Sequence, residues 1–337
     1  MSQPTAASGI APLQPRSPSF ITPEPLTPHA EDSVYLDQLE PPAPPEIRVA
    51  GLAENTVAPL NQMSAEPQGK LPPGAREGVF QRIYLNGTWL PILEDEPDSL
   101  GFGEFDAGIV LGFPFTRRDT PLLVTPQFGM HFLENSAALD IPSTLYDSAV
   151  ELRHLRKFGA GPWAMDVATA VGYYSDLEHG SSDAVRITGR GLAVYEATPG
   201  TKWILGVAYL NRAGATVLPV VGLMCEPTPT TRLDLIFPRP KFAWQTAGSV
   251  PGDERWLYVG GEFGGGVWSV TRPSTRSLDV ISYSDLRVLA GFEREIAGGV
   301  SWRVETGYVF NRELDYDSAM PDIALDDAIF MRAGVKY

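Results

Sequence analysis

The chain has 337 residues, of which 43% are hydrophobic and 20% charged, and this composition indicates a folded protein with a sizeable core. The formal net charge of −15 would repel a nucleic acid, so that class of partner is excluded. The single cysteine, Cys225, cannot form an intrachain disulfide. No apolar run approaches the ~20 residues of a membrane-spanning helix. The start, MSQPTAASG, lacks the features of a secretion signal, so an exported protein would need a signal that this sequence does not contain.

Proline dominates the first 79 residues, which hold 15 of the 31 prolines but only two of the 34 aromatic residues. The stretches TPEPLTP and EPPAPPE lack the bulky apolar groups and many of the backbone donors that a packed core needs. The composition changes at Phe80. We therefore predict a disordered periplasmic tail or linker over residues 1–79 and one folded domain over residues 80–337.

Alternating runs recur from Phe80 onward, separated by clusters of Gly, Pro, Asp and Ser, without a helical stripe. In one of them, Leu286 and Val288 fall on one side of an extended chain, and Asp285 and Arg287 fall on the other. The pattern predicts fourteen strands, with twelve as the alternative count. Their predicted ranges are 80–91, 102–114, 121–133, 145–157, 161–175, 184–197, 201–211, 214–224, 231–237, 240–247, 255–270, 279–293, 297–312 and 327–337.

Most of these runs are longer than the roughly 5–6 residues of a globular strand and reach the roughly 9–11 that a tilted strand needs to cross a bilayer. Trp and Tyr fall near their ends, as in the aromatic belts of membrane barrels. Because lipid offers no hydrogen-bond partners, such a sheet must close. We therefore predict an all-β, closed antiparallel transmembrane β-barrel. The segments 95–101, 134–144, 175–183 and 312–327 would form its outer loops, and 115–120, 158–161, 198–201 and 294–298 its inner turns, with both termini periplasmic.

The chain ends in the middle of a strand pattern. Apolar side chains occupy every second position back from the terminal aromatic residue, namely Tyr337, Val335, Ala333, Met331 and Ile329. In this feature the sequence resembles bacterial outer-membrane β-barrel proteins, in which the barrel-assembly machinery reads such a C-terminal signal. The stretches VLPVVGLM and TRLDLIFPRPKFAW also resemble uncharacterised outer-membrane barrels of planctomycete type. The resemblance implies an outer-membrane location in a Gram-negative-type envelope, and contacts with outer-membrane lipid and the assembly machinery.

Ionisable side chains are predicted on the inward face of the barrel, with acids and bases together. They are Glu104, Asp106, Asp166, Arg186, Arg190, Glu262, Asp285, Arg287, Glu293, Arg303, Glu305, Arg332 and Lys336. Such groups either line an aqueous pore or pair across the lumen and fill it. A barrel of about eight strands is filled by side chains and one of about 16–18 leaves a channel, so fourteen strands leave both alternatives open.

Other motifs carry less chemistry. The run GGEFGGG (260–266) lacks the ending of a phosphate-binding loop and predicts a bulge or a close backbone approach. The four histidines do not have the spacing of a metal cluster, and no G-x-S-x-G motif accompanies them. Asp315, Asp317, Asp322, Asp326 and Asp327 crowd the last outer loop, where they predict a solvated acidic loop or, as the minor hypothesis, a site for a hard cation.

Three functions follow from the sequence. The leading hypothesis is a porin-like, weakly selective pore for small polar solutes. The second is a non-conducting structural barrel that anchors its N-terminal tail to a periplasmic partner. The third is a membrane-embedded lipid hydrolase or acyltransferase, although the chain is not expected to be an enzyme. No cofactor is predicted.

Overall fold

The computed structural model describes residues 76, 78–93, 96–115, 117–211, 216–318 and 321–337. In these residues the chain forms fifteen strands and one short 3-10 turn, Ser182–Ala184. The strands are β1 (Phe80–Leu90), β2 (Gly101–Phe115), β3 (Arg117–Glu134), β4 (Thr144–Lys157), β5 (Trp163–Ser175), β6 (Val185–Thr198), β7 (Thr201–Tyr209), β8 (Val217–Thr228), β9 (Thr231–Phe237), β10 (Lys241–Gln245), β11 (Asp253–Thr271), β12 (Leu278–Ile296), β13 (Ser301–Tyr316), β14 (Ile323–Leu325) and β15 (Ala328–Lys336).

Fourteen of these strands form a closed antiparallel barrel. Each strand from β1 to β13 pairs with the next, and β15 pairs with β13 on one side and with β1 on the other. The three-residue β14 pairs only with β13 and lies in the last long loop. The predicted all-β, closed antiparallel barrel and its strand count are confirmed, and the alternative count of twelve is wrong. All these strands belong to one unit of the chain, Glu40–Tyr337.

Strand boundaries differ from the predicted ones mainly in β8 and β13. The predicted end of β8 at residue 224 is too early, because a register shift between Cys225 and Thr228 lets the strand continue past Pro227. β13 begins at Ser301 rather than at residue 297, because Gly298 adopts a positive φ of 67° in the turn that follows β12. The proline-rich tail predicted over residues 1–79 lies almost entirely outside the described residues, and its boundary stays a prediction.

The two ends of the barrel differ in the length of their connections. One end carries short connections between residues 115–117, 157–163, 198–201, 228–231, 245–253 and 296–301, and it also holds the start of β1 and the end of β15. We call it the inner end. The opposite, outer end carries most of the long loops, at residues 91–100, 135–143, 176–184, 210–216 and 317–327. Among the described residues, no helix is long and apolar enough to cross a membrane.

Apolar side chains face outward around the whole barrel. In β15, Ile329, Met331, Ala333 and Val335 are exposed, whereas Phe330, Arg332 and Gly334 between them are buried. The same alternation appears in β5 and β7 and leaves Leu205 66% exposed. The barrel therefore has an apolar outer surface and ionisable groups in its interior. A water-soluble sandwich has the opposite distribution, with apolar groups inside.

β11 departs from this pattern in its outer half, where both of its faces are buried. Trp268 and Val270 pack into a core whose members lie mostly in the outer half of the interior. Phe263, on the opposite face, packs against a second core built mainly by β2–β9. Ser269 forms a bridge with Ser175 of β5, on the far side of the barrel. The wall strand β11 therefore bends inward and crosses the lumen.

Glycines allow this bend within the predicted GGEFGGG run. Gly265 has a φ of 116°, a backbone conformation that residues with a Cβ rarely adopt. A Cβ at Gly265 would also overlap the carbonyl oxygen of Tyr283 on β12. The glycines in this run therefore let the backbones of β11 and β12 approach closely, as the sequence predicts, within a strand rather than in a phosphate-binding loop.

Candidate functional site in the barrel interior

All thirteen side chains predicted to face the lumen lie on the interior side of the wall. Asp166, Arg190, Glu262, Asp285, Arg287, Glu305 and Arg332 are buried. The others, Glu104, Asp106, Arg186, Glu293, Arg303 and Lys336, are half-buried. The structure divides them among several groups of contacts, which differ in depth and in partners. That they line a path for solutes stays a prediction.

The largest group lies at mid-depth and is here called the central cluster: Glu262, Asp285, Arg287, Glu305, Arg332 and Arg239. Arg332 donates two hydrogen bonds to Glu262, at 3.0 and 2.9 Å, and a third to Glu305. Arg287 forms a bidentate pair with Asp285, with both bonds at 2.8 Å. Bidentate guanidinium–carboxylate pairs fix both partners in one geometry. The cluster therefore ties β11, β12, β13 and β15 together.

Arg239 reaches the central cluster from an unexpected direction. It lies in the connection between β9 and β10, which are only 7 and 5 residues long, so the connection lies part-way down the wall. Its guanidinium enters the lumen and approaches Glu262 at 3.3 Å and Glu305 at 3.9 Å. The sequence analysis missed this residue because it treated the Pro-Arg-Pro segment only as a break between strands. The shortness of the two flanking strands was the available signal.

A second ion-pair group lies on the neighbouring strands β4, β5 and β6. Arg153 donates two hydrogen bonds to Asp166, at 2.8 and 2.7 Å, and its side chain has no exposed surface. Arg190 lies 3.6 Å from Asp166 and 3.5 Å from Glu151. Arg153 and Glu151 alternate with outward apolar residues of β4. The sequence analysis did not name them, although their period-two spacing also predicts that they point into the lumen.

A third group crosses the lumen from β11 to β3 and β4. The indole of Trp268 donates a hydrogen bond to Asp147 at 2.6 Å, and its ring lies 5.1 Å from that of His131. His131 contacts Asp147 at 2.9 Å and Glu104 at 3.7 Å. These side chains occupy the space between two facing walls, beside the bridge from β11 to β5.

The turn between β11 and β12 is fastened to the opposite rim at the outer end. Arg272 donates to Asp140 at 2.9 Å and to Asp279 at 2.8 Å. Ser274 donates to Asp140 through both its backbone N–H, at 2.8 Å, and its hydroxyl, at 2.7 Å. Burial acts in the other direction, but these hydrogen bonds prevail and lower the pKa of Asp140. We call this set of contacts the outer cap.

A small cavity, with about 50 Å³ open to the centre of a water molecule, lies in the inner half of the lumen. It begins near the inner rim, at Arg294, Glu295 and Lys336, and ends at Arg239 and Glu305 of the central cluster. Its other charged lining groups are Lys241, Glu293 and Arg303. Three predicted lumen residues beyond the central cluster, Glu293, Arg303 and Lys336, therefore meet in this inner cavity.

The five acidic residues predicted for the last outer loop do not form one set, and Asp315 lies at the end of β13. Asp315 and Asp322 have carboxylate oxygens near those of Glu313, and Asp326 is near Glu96 and Asp98 instead. Asp326 also accepts a hydrogen bond from Ser99 at 2.9 Å, and Asp327 accepts one from Tyr308. Asp317 is exposed. The cation site stays a hypothesis, since exposed acidic groups often meet without an ion.

Three of the histidines lie in the described residues. His154 contacts the carbonyl oxygen of Pro121 at 3.3 Å, and His179 contacts the hydroxyl of Thr271 at 3.0 Å. His131 belongs to the group around Trp268. His29 lies outside the described residues. The expectation that the chain is not an enzyme stays a prediction.

Comparison with known proteins gives a family but no activity. The family model described as a domain of unknown function (DUF6268) matches residues 130–322, which is more than half of the chain. No curated protein matches the chain. Among solved structures, the beta domain of the Bordetella autotransporter Brka matches 77% of this chain and 99% of its own, at 10% identity and a TM-score of 0.34. This likeness is too low to carry an argument about function. The resemblance to planctomycete-type barrels stays a prediction.

Proposed function

The chain belongs to the family defined by the domain of unknown function DUF6268, and from its geometry we propose that it is an outer-membrane barrel that does not conduct. In this proposal it holds its proline-rich N-terminal segment at the periplasmic face of the membrane, where a partner binds that segment. The observation that carries the proposal is the bridge between Ser269 of β11 and Ser175 of β5, on opposite walls.

The outward surface supports the membrane location. Large apolar side chains such as Leu205, Val288 and Met331 are more than half exposed, and in water this area would favour aggregation. In lipid the same area is stabilising, and each of the fourteen barrel strands has a hydrogen-bonded neighbour on both sides, as a closed barrel in hydrocarbon requires. A heat-dependent mobility shift in detergent gel electrophoresis tests this part. Identical bands with and without boiling would contradict a membrane barrel.

The interior supports a closed state. The bridge and the Trp268–Asp147 hydrogen bond join opposite walls, and the side chains beneath them are almost entirely buried. An open aqueous channel would leave such side chains exposed to water. This observation favours the structural barrel over the weakly selective pore, which was the leading hypothesis from the sequence.

Conductance in planar bilayers tests the closed state. The folded wild-type protein should give no steady current. A variant that lacks residues 1–75 should give no steady current either. A steady, ohmic current from the heat-modifiable wild-type protein would overturn the proposal and favour the pore. A current from the shortened variant alone would mean that the tail, and not the barrel wall, closes the lumen.

The anchoring part needs a separate measurement. The start of β1 and the end of β15 lie together at the inner end, so the segment before β1 enters the barrel on that side. Binding of periplasmic proteins to the full chain should be lost when residues 1–79 are removed. Unchanged binding would contradict the anchor but leave the closed barrel intact.

We also propose that the barrel-assembly machinery recognises β15. Ile329, Met331, Ala333, Val335 and Tyr337 all present exposed side chains on one face of this strand, so an assembly factor would meet the complete signal. Replacing Tyr337 by Ser should reduce the amount of heat-modifiable protein in the outer membrane. The matched control is Lys336→Ser, on the other face. Equal losses in both variants would contradict recognition of this face.

A further inference from the structure

We propose that residues 76 and 78–81 form a clasp that locks the seam between β1 and β15 and takes the place of the assembly machinery on the ring of Tyr337. The seam is the joint that closes the barrel, and its ladder has only six residue pairs, whereas the ladder of β1 and β2 has ten. This inference rests on the proposed recognition of β15 and deepens it, since it names the contact that follows release.

Gln81 holds the chain in a turn before it continues along β1. The register of β1 and β2 shifts between Phe80 and Arg82, which leaves Gln81 as a bulge outside the ladder. Its side-chain amide accepts a hydrogen bond from the backbone N–H of Arg76 at 3.0 Å, and it donates to the carbonyl oxygens of Arg76, at 3.0 Å, and Gly78, at 2.8 Å. Gly78 has a φ of 94°, a conformation that favours glycine. These contacts fix the position of Arg76 relative to β1.

The turn places Arg76 on the aromatic ring of Tyr337. The guanidinium carbon lies 4.2 Å from the centre of this ring and 5.9 Å from the centre of the Phe80 ring. A cation within about 6 Å of a ring centre is attracted by the ring. Phe80 belongs to β1 and Tyr337 follows β15, so one side chain contacts both sides of the seam. Ile83 and Tyr337 extend the seam at the same end, because the backbone N–H of each donates to the carbonyl oxygen of the other, at 3.0 and 2.9 Å.

The neighbouring strand β2 supports the turn from the other side. A Cβ at Gly112 would lie 3.0 Å from Cγ of Gln81, so a glycine at this position lets Gln81 lie directly on the backbone of β2. The backbone N–H of Gly112 also donates to the carbonyl oxygen of Val79 at 2.7 Å. The clasp is therefore attached to β2 through Val79 and Gln81, and to the end of β15 through Arg76.

The ring of Tyr337 cannot be held fully by the clasp and by an assembly factor at once. Tyr337 is 48% exposed with Arg76 beside it, so a factor that binds this ring competes with Arg76 for its surface. Because Gln81 and Val79 fix the turn to β1 and β2, Arg76 reaches Tyr337 only when β1 lies beside β15. The clasp therefore forms after the seam has closed, and it then keeps the machinery from binding the ring again.

Hydrogen exchange of the folded full chain in detergent tests the clasp in the absence of any assembly factor. In Arg76→Gln, amide exchange of Ile83 and Tyr337 should accelerate by about two- to fivefold, the effect of losing an exposed cation–π contact. Arg76→Lys keeps a cation and should restore most of the protection. Arg156→Gln is the matched control, because Arg156 is exposed on β4, outside the seam, with its guanidinium carbon 5.9 Å from the centre of the Phe158 ring. It should leave the exchange of both amides unchanged.

Pulse labelling and cross-linking in cells test the release. Arg76→Gln chains should stay cross-linked to the assembly machinery about two- to fivefold longer than wild-type or Arg156→Gln chains. Unchanged amide exchange in Arg76→Gln, an equal change in Arg156→Gln, or release as fast as that of the control would overturn the inference. A failure of the proposed recognition is distinguishable, because it would appear as normal assembly of Tyr337→Ser. In that case the exchange measurement, which involves no machinery, decides whether the clasp holds the seam.

Discussion

Trp268 allows a test of whether the packed interior stabilises the barrel. Its side chain is 4% exposed and lies between two facing walls, where its indole N–H bonds to Asp147 and its ring meets that of His131. Truncation of a buried Trp to Ala costs about 3–5 kcal/mol. Here the loss should lie near the upper end of that range, because Trp268→Ala also removes a hydrogen bond to a charged group, for which about 1.5–3 kcal/mol is typical.

The assay is urea-induced unfolding of the folded barrel in detergent, followed by far-UV circular dichroism. Trp203 is the matched control, because it lies on β7 with its side chain outward and 54% exposed. Trp203→Ala removes the same atoms but leaves the interior intact, so its loss of unfolding free energy should be clearly smaller. Equal losses in the two variants would refute the argument that the closed interior, rather than the wall alone, stabilises the barrel.

Three further substitutions address the bend, the cap and the central cluster. Gly265→Ala should destabilise the barrel by about 1–3 kcal/mol in the same unfolding assay, because alanine is strained at a φ of 116°. Gly191→Ala is the control and should have little effect, because a Cβ there meets no atom within 4 Å. Asp140 has a lowered pKa in the folded state, so its stabilisation of the outer cap is present above the unfolded pKa of about 3.9 and is lost as the pH falls below it. As the pH is lowered from 6 to 3, the ratio of the hydrogen-exchange rate of residues 272–277 in the wild type to that in Asp140→Asn should therefore rise. A ratio that stays constant over this pH range would contradict the role of Asp140. Arg332→Met should cost about 3–5 kcal/mol because it leaves Glu262 buried without its bidentate partner, and adding Glu262→Gln should recover part of that loss.

The sequence was sufficient to predict the wall because a closed barrel with an apolar outer surface follows one strict rule. Every strand must present apolar groups at every second position, so runs such as that around Val288 could be assigned both a strand and a face. The same rule placed Arg332 and Glu305 inside. It could not place them together, because the pairing of β13 with β15 and the reach of each side chain depend on the register of the closed sheet.

The inward bend of β11 was not predicted, although the sequence contains a signal for it. Ser269 and Thr271 fall on the face that would meet lipid if β11 stayed in the wall, yet both are almost completely buried. Polar side chains at two adjacent positions of one lipid-facing side are unfavourable. Together with the glycines at 264–266, they indicate a strand that leaves the wall. Arg239 is the harder case, since a side chain in a three-residue connection has no periodicity from which its direction can be inferred.

The bend also explains how a fourteen-strand barrel can be filled. By strand number alone, such a barrel lies between small barrels packed with side chains and large ones with a channel. The contact of β11 with β5 divides the outer half, so that nine strands, β11, β12, β13, β15 and β1–β5, surround the outer part of the first core. Nine strands enclose a space close to that of the small barrels that side chains fill, and the back of β11 completes the second core through Phe263. The state of the lumen therefore depends on the path of one strand and not on the strand count, and the inner cavity is the part of the interior that lies below this division.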